Sequence, residues 1–116
     1  MSRALPLLAR GFAIAWTLAM LFVFWSPVSV HEPAPEWADE AVHAGTFFGF
    51  AIAWGLADLR PRWIAGCGIA LAIVTELVQP RLPWPRTAQL GDVVADACGV
   101  ALGLLVIGWR FRSRNA

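Results

Sequence analysis

Charge is scarce in this chain, and lysine is absent from it. Asp, Glu, Lys and Arg make up only 15% of the 116 residues, all nine basic residues are arginine, and the net charge is +1. Such a balance offers no basic surface for nucleic acid, so no nucleic-acid partner is expected. Hydrophobic residues make up 59% of the chain and the mean hydropathy is +0.62, whereas a soluble domain is roughly 45–50% apolar. The composition therefore indicates a membrane protein.

The chain is also poor in the motifs that carry chemistry. Cys67 and Cys98 are the only cysteines, and they lie inside apolar runs with no C-x-x-C pairing, so we interpret both as small buried residues. No H-E-x-x-H or comparable metal spacing occurs, and no hydroxyl residue stands in a nucleophile motif. The sequence therefore predicts no metal and no cofactor, and it assigns no catalytic residue.

Four apolar segments are predicted to be membrane-spanning helices, each close to the ~20 residues that a span requires. They cover residues 11–30, 41–57, 63–79 and 93–109. We therefore predict a single domain over residues 1–116, an all-α membrane protein built as a four-transmembrane-helix bundle. A cleaved signal peptide over residues 1–30 is the alternative for the first segment, but its apolar stretch is long and Val28-Ser29-Val30 is a poor cleavage site.

Arginine placement predicts the orientation of the spans. Seven of the nine arginines fall on one side when the four spans alternate: Arg3, Arg10, Arg60, Arg62, Arg110, Arg112 and Arg114. By the positive-inside rule this side faces the cytoplasm. Both termini are then cytoplasmic, in a multi-pass protein of the bacterial cytoplasmic (inner) membrane.

The same topology gathers polar residues at the outer face of the membrane. The predicted polar cluster consists of Asp39, His43, Glu76, Gln79, Arg86, Asp92 and Asp96. Its members within each helix are three or four residues apart and therefore share a helix face. A charge at mid-bilayer costs on the order of 3 kcal/mol, so a chain that keeps several gains a polar site or a buried network.

Two G-x-x-x-G patterns are predicted to bring helices close together in lipid. They are Gly45 with Gly49 in the second span and Gly99 with Gly103 in the fourth. The glycines of the fourth span continue the helix face of Asp92 and Asp96, so this face is predicted to point into the bundle. Whether a glycine face also supports a homo-oligomer stays open.

These residues together resemble the VanZ-like family of small integral membrane proteins. The resemblance covers residues 37–108 and is carried by Asp39-x-x-x-His43 with Phe47, Glu76-x-x-Gln79, Arg86 with Asp92 six residues later, and the Gly99 and Gly103 pattern.

Two positions depart from the pattern of that family. Glu40 follows Asp39 where the family often has a lysine, and Asp96 stands where it typically has an asparagine. The second departure adds a potential charge inside the membrane, which we expect to be neutralised by protonation or paired with Arg86 or His43.

The resemblance implies fold and location more than chemistry. The namesake of the family is associated with low-level resistance to the lipoglycopeptide antibiotic teicoplanin, which implies an outward-facing cluster that recognises or masks a cell-envelope component. The implied partners are membrane lipids and either a lipid-linked cell-wall precursor or a lipoglycopeptide.

Two other functions stay open: an intramembrane enzyme acting on a lipid headgroup, and a structural or assembly subunit whose polar residues join helices. Arg86 would either neutralise the acids or bind an anionic group. The acids with His43 could hold Mg, Mn or Zn, although no ligand spacing supports this.

Overall fold

The computed structural model describes residues 4–26, 36–83 and 90–115, and within these ranges it contains helices and turns but no strand. The described residues form four α-helices: α1 (Ala4–Trp25), α2 (Glu36–Leu56), α3 (Pro61–Val78) and α4 (Leu90–Asn115). A short 3-10 turn over Gln79–Arg81 continues α3. The prediction of an all-α chain is confirmed, and each predicted span overlaps one helix. The end of the first predicted span, residues 27–30, lies outside the described residues.

Three of the described helices are long and apolar enough to cross a membrane. Their apolar stretches are Leu5–Trp25, Pro61–Arg81 and Leu90–Trp109. The chain is therefore a multi-pass membrane protein. The second helix, α2, has 21 residues, about 31 Å at 1.5 Å per residue, but with the acids and the histidine in its first half it is not among these apolar stretches.

The connection between α2 and α3 is a tight turn built from residues 57–60. Asp58 has a φ of 64°, in the left-handed region, and the backbone N–H of Leu59 donates to the carbonyl of Trp54 at 3.0 Å. Such a left-handed residue with a returning hydrogen bond is a common way to end a helix. Pro61 then occupies the first turn of α3, where its missing N–H costs nothing.

Among the four described helices, α2 and α4 make the most extensive contact with each other. A Cβ added to Gly99 would overlap the carbonyl oxygen of Ala44, and one added to Gly103 would come within 2.9 Å of the carbonyl oxygen of Phe48. The two backbones are therefore in direct contact, as small residues allow in lipid. Helix α3 packs mainly on α4, whereas α1 packs mainly on α2.

The other glycine pattern, on α2, is arranged differently. Gly49 faces the indole ring of Trp16 on α1, so its missing side chain makes room for an aromatic ring and not for a helix backbone. A Cβ at Gly45 would meet no atom within 4 Å in the described part of the chain. The two glycines of this pattern therefore do not line one helix contact.

Much of the apolar surface faces outward, as expected where lipid is the solvent. Helix α1 exposes Leu5, Leu8 and Phe22 by 62%, 68% and 74%. Cys67 and Cys98 belong to this surface as well, because both are exposed. The interpretation of the cysteines as buried residues was therefore wrong, since an apolar run in a membrane helix presents residues to lipid as well as to the core.

Tryptophan side chains hold α1 against α2. The indole Nε1–H of Trp16 donates to the carbonyl of Thr46 at 3.0 Å, and that of Trp54 donates to Thr17 Oγ1 at 2.9 Å. Both indoles pair their one polar group while the ring packs on apolar neighbours, as partly buried tryptophans usually do.

Replacing Trp16 with phenylalanine tests one of these contacts. The substitution keeps an aromatic ring on α1 but removes the donor to Thr46 and the indole atoms that lie over Gly49, so we expect the free energy of unfolding to fall by at least about 1 kcal/mol. Reversible unfolding in mixed micelles, followed by circular dichroism, measures the change. A variant as stable as the wild type would show that the hydrogen bond contributes nothing.

Candidate functional site

The imidazole of His43 lies at the centre of the polar residues. Its side chain is 1% exposed, and its Nδ1 is 2.8 Å from Asp96 Oδ1. On the other side of the ring, Nε2 is 3.9 Å from Asp92 Oδ2. One face of the ring stacks on Phe24 of α1, with the centroids 4.4 Å apart and the planes 18° apart. The histidine is thus enclosed by two carboxyl groups and an aromatic ring.

The close contact between α2 and α4 brings these groups together. Asp92 and Asp96 are one helical turn apart and lie on the face of α4 that continues into Gly99 and Gly103. Because the glycines let this face touch the backbone of α2, the carboxyl groups above them reach the ring of His43. Asp92 also lies in the first turn of α4, where the helix dipole favours a negative charge.

The remaining predicted cluster residues lie around His43, Asp92 and Asp96 in different ways. Asp39, one turn before His43, is exposed and can bring a carboxyl oxygen close to His43 and Asp92. Glu76 of α3 is 8% exposed and lies near His43 and Asp96. Gln79 is 2% exposed, and its amide Nε2 donates to the carbonyl of Phe24 at 3.3 Å.

The structure therefore brings five of the predicted cluster residues together, whereas Gln79 ties the end of α3 to α1. Arg86, the seventh, lies outside the described residues. Among the side chains that are described, the group contains four carboxyl groups and one imidazole. Such an arrangement attracts cations, because a single histidine cannot balance four acids.

Several buried polar atoms of the site have no hydrogen-bond partner among the described residues. They are His43 Nε2, Asp92 Oδ1 and Asp96 Oδ2. Unsatisfied buried polar atoms are rare in proteins, and each one calls for an explanation. Here they are concentrated around one imidazole, which indicates a site that takes up a further group.

Sequence reasoning missed the contribution of α1. Phe24 supplies both the ring that covers His43 and the carbonyl that accepts from Gln79. It stands in an apolar run with several other aromatic residues, and nothing in the spacing of that run distinguishes it. Only the packing of α1 on α2 identifies Phe24 as part of the site.

A groove in the described part of the chain lies away from this site. It has a volume of about 540 Å³ and an apolar lining that includes Phe50, Trp54 and Leu71. None of the polar cluster residues lines it.

Comparison of the chain with models of protein families, with curated proteins and with solved structures gave no match.

Proposed function

We propose that this chain is a VanZ-like protein of the bacterial cytoplasmic membrane, in which all four helices span the bilayer and both termini are cytoplasmic. Its polar cluster then lies toward the outer face and recognises or masks a component of the cell envelope. A lipid-linked cell-wall precursor and a lipoglycopeptide such as teicoplanin are the partners that fit this location.

The observation that carries the proposal is the buried pair of His43 and Asp96, with Nδ1 and Oδ1 2.8 Å apart between two membrane helices. Ionisable groups inside a membrane protein are expensive and usually mark a functional site. Three further arguments support the location: the arginine distribution, the motif order over residues 37–108, and the position of Asp92 in the first turn of α4.

The chemistry of the cluster is suited to polar parts of an envelope molecule. The carboxyl oxygens with no partner accept hydrogen bonds from ammonium, amide or hydroxyl groups. Arg86, in the connection before α4, supplies a planar donor for a phosphate or a carboxylate. A ligand with a polar head and a lipid tail could place its head at the cluster while the tail stays in the bilayer.

Antibiotic susceptibility tests this function. We expect a Gram-positive host that produces the chain to gain protection against teicoplanin but not against vancomycin. Asp92→Asn keeps the shape of the side chain and removes its charge, so it should return susceptibility to the level of the empty vector. Asp58→Asn is the matched control: Asp58 is exposed, and its left-handed backbone suits asparagine.

Membrane levels of the three proteins must be equal in this experiment, measured by immunoblot with a C-terminal tag. No protection by the wild type at such levels would contradict the proposed partner. Protection that is equal in wild type and Asp92→Asn would contradict the proposed site.

An enzyme acting on a lipid headgroup is the second candidate, and the geometry of His43 favours it. An aspartate at Nδ1 with Nε2 left without a partner is the arrangement in which a histidine acts as a general base. Headgroup release from vesicles that depends on His43 would favour the enzyme over the binding protein. If Asp92→Asn and a substitution of His43 lowered only the stability of the protein, an assembly subunit would describe the chain better than a binding protein or an enzyme.

A further inference from the structure

We propose that His43, Asp92 and Asp39 bind a divalent metal ion of the zinc or manganese type at the end of the α2–α4 pair. His43 Nε2 and one carboxyl oxygen from each aspartate are the ligands. Asp96 is a positioning residue, which fixes the orientation of the imidazole through its hydrogen bond to Nδ1. The proposal concerns the isolated protein and does not depend on the partner proposed above.

The hydrogen bond between His43 and Asp96 selects the ring nitrogen that is available to a metal. With Asp96 ionised, its carboxylate only accepts hydrogen bonds, so the contact of 2.8 Å between Oδ1 and Nδ1 places the ring proton on Nδ1. The lone pair then lies on Nε2. A histidine that donates from its other nitrogen to a carboxylate is the usual arrangement of a metal-binding histidine.

The distances suit a single ion. Nε2 is 3.9 Å from Asp92 Oδ2, and ligand atoms of Asp39, His43 and Asp92 all lie within 4.8 Å of one another. Zinc binds imidazole nitrogen and carboxylate oxygen at about 2.0–2.2 Å in tetrahedral geometry, so two ligands of one ion are about 3.3–3.6 Å apart. The three ligand atoms must therefore move about 1 Å closer together, through rotation of the exposed Asp39 side chain and a small shift of Asp92.

A buried atom with no partner points independently to a ligand at this position. Nε2 of His43, a residue that is 1% exposed, finds no hydrogen bond among the described residues, and the same holds for Oδ1 of Asp92, the oxygen beside the one that lies 3.9 Å from this nitrogen. Buried polar atoms without partners are destabilising. A bound cation would satisfy the nitrogen directly and would balance the charges of two carboxylates beside it.

The ligand set also indicates the class of metal. Imidazole suits zinc and other transition metals, whereas Mg²⁺ and Ca²⁺ prefer sites made of oxygen alone. Three protein ligands leave at least one coordination position for water or another molecule, as in catalytic zinc sites. His43 also lies near Glu76 and Asp96, but an ion bound at Nδ1 would have to displace the 2.8 Å hydrogen bond.

Metal binding to the purified protein tests the proposal. The protein in detergent micelles is stripped with a chelator, dialysed against Zn²⁺ and analysed by plasma mass spectrometry. Cys67 and Cys98 are exposed, so both are first replaced by serine. We expect about one Zn²⁺ per chain for this parent protein, in which both cysteines are serine, and for the same protein with Asp58→Asn. Asp96→Asn should weaken binding about 10–100-fold, and His43→Ala and Asp92→Asn should weaken it more.

X-ray absorption at the zinc edge of the parent protein gives a readout that needs no further variant. We expect nitrogen and oxygen ligands at about 2.0–2.2 Å with the outer-shell signal of one imidazole. The same first shell in Asp96→Asn, at saturating zinc, would mark Asp96 as a positioning residue. A spectrum without imidazole, no bound zinc, or equal affinity in Asp92→Asn would overturn the proposal.

Discussion

Replacing His43 by alanine is expected to lower the free energy of unfolding by about 3–5 kcal/mol, the cost of removing one partner from a buried pair of ionisable groups. The imidazole lies between the carboxyl groups of Asp92 and Asp96, which are 2% and 0% exposed. Without it, two adjacent acids remain buried and Phe24 loses the ring on which it stacks. Unfolding in mixed micelles at neutral pH, followed by circular dichroism, measures the loss.

A double-mutant cycle separates the pair from the cavity that alanine leaves. Asp96→Asn and the double variant His43→Ala/Asp96→Asn complete the cycle. If the two residues interact as the 2.8 Å distance indicates, the double variant should be more stable than the sum of the single losses predicts. A coupling near zero would mean that His43 stabilises the protein only by filling space.

Replacing Gly99 by alanine should also lower the free energy of unfolding, by about 1–3 kcal/mol, because the added methyl group overpacks the contact between α2 and α4. The added Cβ would overlap the carbonyl oxygen of Ala44 and lie 3.0 Å from the amide nitrogen of Phe48. Backbone atoms of a helix cannot rotate away as a side chain can. The two helices must therefore move apart, and the site above them opens.

Gly45→Ala is the matched control for this substitution. A Cβ there meets no atom within 4 Å of the described chain, so the change acts only through helix propensity and should stabilise the protein by about 0.5–1 kcal/mol. The same unfolding assay measures both variants. Opposite signs are expected; equal destabilisation would show that Gly45 packs closely after all.

Much of the fold follows from the sequence because lipid imposes simple requirements. Long apolar segments in this chain become helices. The i,i+4 spacing of Asp92 and Asp96, with Gly99 and Gly103 on the same stripe, predicts the face of α4 that packs inward, and the structure has these glycines against α2.

Other features depend on packing that no local pattern encodes. The pattern of Gly45 and Gly49 has the same spacing as that of Gly99 and Gly103, yet only the α4 pair lies against a helix backbone. The ligand-like grouping of Asp39, His43 and Asp92 joins residues about 50 positions apart, which explains why no metal spacing is visible in the sequence. Phe24 enters the site through the crossing of α1 and α2.

The dependence of α2 on α4 has a consequence for biosynthesis. In the proposed four-span arrangement, α2 leaves the ribosome well before α4, and the acids that accompany His43 are still missing. A helix with an unshielded imidazole and several acids in its first half is held poorly by the bilayer alone. The tight turn at residues 57–60 would let α2 enter as a hairpin with the more apolar α3. Membrane integration of α2 is then completed only when the last helix arrives, so chains truncated before Leu90 should be targets for membrane quality control.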